Sequence, residues 1–459
     1  MSKQYERSLF IFRRDLRLND NTGLLAALEQ SEEVVPCFIF DPRQVDDNEY
    51  KSDNAIRFMV ESLKELADQL KSKHGRMYFF YGHAEDVVKK LCVQLKLNAV
   101  FVNQDYTPFS IKRDHALERV CKDHDVAFHS FADLLLHAPE KSLKKDGKPY
   151  TVFTPFYKRM SVVKVEAPRS NTFKNYFTGA IATSFKNPED KISIKSSKQV
   201  IVHGGRGACL KILRTFDEFK NYAKTRDIPV ISTTHLSAHL KFGTCSAREV
   251  FYAIASTLGR SSLLLKQLYW RDFFTTIAFY FPRVFGQAFR EKYNHIAWSK
   301  SKKNFEAWCN GMTGFPLVDA GMRELNQTGF MHNRVRMVVA SFLVKDLHLD
   351  WRWGEKYFAQ KLVDYDPAVN NGNWQWSAST GCDAQPYFRI FNPWLQQKKY
   401  DPQVEYIKQW VPELKNLTAK QIHAWYKYEK ELDIKYPAPL IDHSEMAAQA
   451  KKMFSSVRQ

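Results

Sequence analysis

The chain has 459 residues, a length at which two domains are expected rather than one core. Apolar residues make up 44%, which excludes wholesale disorder, and a formal charge of +18 suggests a polyanionic partner: DNA, RNA or an anionic membrane surface. No apolar stretch nears membrane-span length, and the opening MSKQYERSLFIF is too short in apolar residues for a signal peptide. Seven scattered cysteines with no Cys-x-x-Cys fit a reducing compartment and no metal site. These features predict a soluble, intracellular protein, in the cytoplasm of a bacterium or possible in the nucleus of a eukaryote.

From the N-terminus, SLFIF is a short apolar run, followed by a charged loop and a helical pattern, TGLLAALEQ. VVPCFIF, RMYFFYG, NAVFVNQ and VAFHSF read as further strands. NAIRFMVESLKELADQLKSK, AEDVVKKLCVQLKL and IKRDHALERVCKDH repeat apolar residues at helical spacing between them. Five strands alternating with helices predict an α/β domain over 1–138, a five-stranded parallel doubly wound sheet with right-handed crossovers. No G-x-G-x-x-G follows the first strand, so the ordinary dinucleotide fingerprint is missing. Over 139–199 the periodicity fades into Lys, Ser, Asn and Pro, which reads as a long connector on the surface. From 200 to 459 the patterns are helical, and an all-α domain is expected. All ten tryptophans lie at or after Trp270, in that last part.

Several stretches there carry chemistry. WRDFF sets Trp270 beside Arg271: taken alone a core aromatic and a surface arginine, or else a stacking face with a phosphate partner. In MHNRVRM, Asn333 and Met337 share a helix face, and Arg334 adjoins Met337. An amide, two guanidinium groups and a thioether on one turn suit a base edge, a phosphate and an apolar ring. In LVDYDPAVNNGNWQW, Asp364 and Asp366 would need Arg336 as a partner if buried. Pro367 is expected to stop any helix, and Gly372 to allow a tight turn held by the asparagines. An Asn amide does not titrate, which suits a partner whose charge changes during reaction. Thr233, Thr234 and Ser237 before an apolar run favour a phosphate at a helix start.

Together FRRDLRLNDN, WRDFF, TGFPLVDAGMREL, TGFMHNRVRMVVASFLVKDL, LVDYDPAVNNGNWQWSASTGCDAQPYFRIFNP and KYDP resemble the photolyase/cryptochrome family, most of all class I cyclobutane pyrimidine dimer photolyases. The resemblance runs through essentially the whole chain in order. It implies an N-terminal antenna domain, a C-terminal helical domain binding FAD, and light-driven electron transfer from reduced FAD that splits pyrimidine dimers in DNA. The FAD residues it implies are Tyr222, Thr233, Thr234, His235, Leu236, Ser237, Arg336, Asp364, Tyr365, Asp366 and Asn370, with Asn370 facing flavin N5. Trp374, Trp351 and Trp298 match its electron-transfer chain from flavin to surface. Gln267, Trp270, Arg271, Asn333, Arg334, Met337, Trp376 and Gln396 match its DNA- and lesion-facing positions. The implied partner is dimer-containing DNA, the implied state a monomer off the membrane.

Three departures stand out. Gln267 replaces a usual Glu, as in (6-4) photolyases and related cryptochromes, the two alternative readings. His235 replaces an arginine in the phosphate segment, so one phosphate contact should be weaker. NQDYTPFSIKRD lacks the Asn-Glu pair of the folate pattern, leaving a deazaflavin, a flavin, a folate or no antenna chromophore open.

Overall fold

The computed structural model describes residues 3–46, 48–192 and 199–457. Strands β1 (Tyr5–Phe12), β2 (Ser31–Phe40), β3 (Tyr78–Tyr81), β4 (Ala99–Asn103) and β5 (Ala127–Phe131) form one sheet in the order β3-β2-β1-β4-β5. Every pairing is parallel: Tyr5 lies opposite Ser31 and Ser8 opposite Ala99. β1 is buried from Ser8 to Phe12, as expected of a strand covered on both faces, so its sequence is a continuous apolar run. Its first residues are only partly buried, which hid them from an apolar-run reading. Helices α1 (Thr22–Gln30), α2 (Asp53–Ser72), α3 (Ala84–Leu95) and α4 (Pro108–Asp123) make the crossovers. Asn21, Ser52 and Thr107 side chains accept from backbone N–H groups at the starts of α1, α2 and α4, so those boundaries are set locally.

Contacts divide the chain elsewhere than at 138 and 199. The first compact unit takes in the described part of 1–196, with 202–220 and 236–282. The connector largely belongs to it: α5 (Phe153–Met160) buries Phe153, Phe156 and Met160, and single bridges join Val34 to Tyr176 and Phe79 to Phe185. Residues 193–198 of the connector lie outside the described residues. The helix Ala247–Leu258 and α6 (Leu263–Tyr280), expected in the C-terminal domain, also fall in this unit. Buried polar pairing ties both to it: Leu136 N donates to Asp272 of α6 at 2.9 Å. Arg248 donates to Asp20 Oδ2 at 2.9 Å and to Asp133 Oδ1 at 2.7 Å, and Arg17 donates to Asp133 Oδ2 at 2.5 Å. Breaking such a set would strand a buried charge at a cost of about 3–5 kcal/mol.

The second unit takes in the described part of 197–201, with 221–235 and 283–459. It is helical, and α7 (Asn333–Ser341), α8 (Trp351–Lys361), α9 (Pro367–Ala378) and α10 (His443–Ser455) concern the site. Trp308, Trp351, Trp374, Trp410 and Trp425 join its core, so half of the tryptophans serve packing whatever else they do. Two expectations are corrected here. Pro367 starts a helix instead of stopping one, because at the first helical position its missing N–H is not needed. Gly372 lies inside α9, not in a turn; the Asp366 cap and that proline outweigh the weak helix propensity of Asn and Gly.

Candidate functional site

Asp366 ends an extended stretch and caps α9, accepting from Ala368 N at 3.1 Å and Val369 N at 3.2 Å. This places Asn370 one turn into the helix, where its Nδ2 donates to Glu355 O of α8 at 3.1 Å. Two residues before the cap, Asp364 receives a two-point fork from Arg336 of α7, Nη1 to Oδ1 at 3.2 Å and Nη2 to Oδ2 at 3.0 Å. Arg336 Nε donates to Met331 O at 2.8 Å, and its guanidinium lies 5.1 Å from the Phe330 ring centre. The pair thus ties α7 to the start of α9 and fixes both charges.

His332 caps α7 by accepting Arg334 N at Nδ1, 3.2 Å away. The ring proton then sits on Nε2, which is buried without a partner among the described residues. Burial, with Arg336 beside it, holds this imidazole down at about 4, so it is neutral at ordinary pH. The backbone N–H of His332 donates to Glu324, which also accepts from Tyr406 Oη at 2.5 Å. An orphaned donor beside the Arg336–Asp364 pair fits a bound polar group with acceptor atoms, as FAD would be.

His235 adopts a left-handed backbone, φ 51°, and meets Phe330 edge-on at 4.5 Å. Burial lowers its pKa, with Asp364 opposing and Arg336 reinforcing the shift, so the residue standing in the arginine position carries no permanent charge. Thr233 and Thr234 are half-buried before it; Leu236 is buried and Ser237 exposed in the helix Leu236–Phe242. Tyr222 is half-buried under the Arg226 guanidinium, 5.9 Å from its ring centre, and Tyr365 is half-buried between the two aspartates.

Trp374 is buried on α9, and its ring edge lies against Gly354 of α8, where an added Cβ would come within 2.2 Å of it. Trp351 opens α8 and is buried; Trp298 is half-buried, 5.8 Å from Phe454 of α10. Trp308, which the motif reading left out, meets Trp374 edge-on at 6.2 Å.

Of the DNA-facing set in the second unit, Asn333 is exposed, with Nδ2 3.9 Å from Met337 Sδ, so the two share the expected face. Among the described residues Trp376, half-buried, has no ring contact, and the buried acceptor Gln396 Oε1 has no partner. Arg334 is committed differently: its Nη2 donates to Asp227 at 2.9 Å and its guanidinium lies 4.3 Å from the Tyr400 ring centre. In the first unit, Trp270 stacks on Phe153 at 3.5 Å, and Gln267 donates back to Leu263 O within its own helix. Arg271 is mostly buried and donates to the Leu134 and Leu240 carbonyls, which gives it a structural task.

Motif reading missed Glu355 and the pair Asn371 and Gln375. Asn371 donates to Glu355 Oε1 and Val284 O, and Gln375 to Val284 O and Gln287 O, pinning the segment before residue 290 to α9. Their i,i+4 spacing was visible, but their Val284 and Gln287 partners are 87 to 91 positions away in sequence. Burial pushes the Glu355 carboxyl up to about 7.

Comparisons with known proteins cover both parts of the chain. Residues 8–171 match a family model described as DNA photolyase, and 264–456 one described as the FAD binding domain of DNA photolyase. A deoxyribodipyrimidine photo-lyase of Alkalihalophilus pseudofirmus is 37% identical, the match covering 96% of each chain. The crystal structure of an archaeal photolyase from Sulfolobus tokodaii with two FAD molecules superposes with a TM-score of 0.89 at 44% identity, covering 98% of this chain and 100% of that one. A Synechocystis cryptochrome gives a TM-score of 0.89 at 27% identity, covering 99% of this chain and 100% of that one.

Proposed function

The chain belongs to the DNA photolyase family, and on that premise we propose that it is a light-dependent carbon–carbon lyase that splits cyclobutane pyrimidine dimers in DNA, with FAD as its cofactor. The observation that carries the reading in the chain's own side chains is the Arg336–Asp364 fork with Asn370 one turn beyond it and Trp374 one turn further on the same helix. Bound FAD supplies the light-driven electron that opens the cyclobutane ring.

The protein's part is position and electrostatics. Asp364, neutralised by Arg336, sets a local dipole without a free charge. Asn370 presents an amide that neither gains nor loses a proton as a ring beside it changes charge. His332 holds a proton at Nε2 for an acceptor, and its low pKa keeps it from adding charge. Trp376 and Met337 offer an indole face and a thioether for a base turned out of its stack, while Gln396 Oε1 accepts a hydrogen bond from it. A dimer pairs poorly, so extruding it costs less than extruding a normal base. Trp374, Trp351 and Trp298 would relay an electron inward to oxidised FAD, with a reductant in solution refilling the outermost indole.

The Sulfolobus relative's two FAD molecules support a second flavin as this chain's light-harvesting chromophore, over the deazaflavin or folate alternatives. Flavin released by denaturation should come to two per chain; one per chain with a different absorbing species would overturn that part. Among the described residues no helix is long and apolar enough to cross a membrane. The working form in this reading is an intracellular monomer, and a sedimentation mass well above 53.6 kDa would contradict it.

The deciding experiment gives the reduced protein oligonucleotides carrying a cyclobutane dimer or a (6-4) product, in blue light and in darkness. Light-dependent repair of the cyclobutane lesion alone is expected. Repair of the (6-4) product alone would assign the other lesion, and binding without repair of either would assign a light receptor.

A further inference from the structure

The connector between the sheet and the helices holds a cluster of charge that none of the roles above uses. Leu143 and Pro149 bridge across a tight turn in which Lys144 N donates to Lys148 O at 2.9 Å and Gly147 N to Lys144 O at 3.1 Å. Gly147 takes a φ of 75°, which closes the turn. Lys144, Lys145 and Lys148 are exposed on it, and none is paired with a carboxylate among the described residues. The one acid in the turn, Asp146, is spent on the backbone, accepting from Lys148 N at 3.1 Å. Three unpaired ammonium groups within five residues repel one another, and a folded chain keeps such an arrangement cheaply only where solvent or a polyanion screens it.

The turn is continuous with the aromatic stack around Trp270. Lys144 Nζ lies 5.9 Å from the Tyr150 ring centre, and Tyr150 meets Phe156 edge-on at 6.3 Å. Phe156 and Phe153 both pack on Phe273 of α6, and Phe153 stacks on Trp270. Lys266 Nζ lies over Phe153 at 5.6 Å and over Tyr157 at 5.0 Å, adding a further cation to the same face. Phe153, Phe156 and Phe273 are buried, so these rings anchor the turn, while the lysines stay at the surface beside the half-buried Tyr150 and Trp270.

We propose that the turn at residues 143–149 is a phosphate clamp, in which Lys144, Lys145 and Lys148 bind backbone phosphates of duplex DNA. The clamp rests on the DNA-repair reading but is separable from it, since it concerns duplex affinity and not the splitting of the ring. Duplex DNA presents about one negative charge per 1.7 Å, so three ammonium groups on one turn can each neutralise a phosphate.

The test uses the full flavin-loaded chain and a duplex with a single thymine dimer, titrated between about 50 and 200 mM salt. For the triple variant K144Q/K145Q/K148Q the slope of log affinity against log salt should become shallower by about 2 to 3, with affinity at the low-salt end falling roughly tenfold or more. A charge-matched variant, K89Q/K90Q/K122Q, changes exposed lysines of α3 and α4 and should leave the slope nearly unchanged. Light-driven splitting of an isolated thymine-dimer dinucleotide, which has no flanking duplex phosphates, should be native in both. An unchanged slope in the turn variant, or an equal change in the control, overturns the clamp, as does loss of dinucleotide splitting in the turn variant. A native chain that splits no dimer in light would defeat the repair reading instead, while the salt slopes on undamaged duplex would still decide the clamp.

Discussion

Asp364, with a side chain 5% exposed, depends on the two-point fork from Arg336 for its charge to be tolerated. Arg336→Ala leaves that carboxylate buried alone, a loss of about 3–5 kcal/mol in stability. The purified variant should carry far less flavin than the native chain, read as the ratio of visible to ultraviolet absorbance; native flavin content would remove Arg336 from the cofactor site. Trp374 is a separate case, since its ring packs and its proposed role is electronic. Trp374→Phe keeps most of the volume, so photoreduction of oxidised FAD should slow by at least an order of magnitude while repair by chemically reduced protein stays near native. Equal photoreduction rates would break the tryptophan chain at its first link.

Helix α9 concentrates site residues because its start is over-determined. The Asp366 cap and Pro367 at the first position fix the register that places Asn370 and Trp374. Asp366→Ala should cost about 1 kcal/mol and loosen flavin binding, measurable as a lower midpoint in urea with faster flavin release. The neighbouring helix α8 contributes a gap. Gly354 leaves room for the Trp374 ring, and the same added Cβ would also lie 2.6 Å from Leu343. Gly354→Ala would gain helix propensity yet force α8 and α9 apart, so a net loss of about 1–3 kcal/mol is expected. A variant more stable than native would show that the two helices part easily there.

Across the whole molecule, burial pushes several carboxyls upward: Asp272, Glu324 and Glu355 to about 7, Asp319 and Asp346 to about 6. Folded, each holds a proton that the unfolded chain has released above about pH 4. The stabilisation this gives is complete below the unfolded value and is lost as pH rises through 6 to 7. Stability should therefore decline between about pH 5 and 8. Glu355→Gln keeps an acceptor for Asn371 and removes one titration, so it should recover up to about 3 kcal/mol at pH 8 and little at pH 5. Denaturation midpoints at the two pH values test this; equal gains at both would mean that Glu355 is ionised in the folded chain. The charge of +18 acts at the same scale, drawing polyanions to a surface on which the turn at 143–149 is one defined point of contact.

The sheet, its five strands and the helices between them were readable from the chain, because a strand buried on both faces must be apolar along its length and a crossover helix must be apolar along one side. So were the family motifs, which are short and contiguous: Asn333 and Met337 share a face, and Arg336 meets Asp364. The rest was decided by partners distant in sequence. Pairing of Arg248 with Asp20 and Asp133 drew one helix into the sheet unit, and Arg271 donating to the Leu134 carbonyl, with Leu136 N donating to Asp272, drew in the next. Asp366 with Pro367 turned an apparent stop into a start, and only packing showed that Gly354 makes room for Trp374. Local periodicity records which face of an element is dry; it carries no record of which buried charge or donor will meet which partner, because those pairings span up to some 230 positions and exist only once the chain has folded.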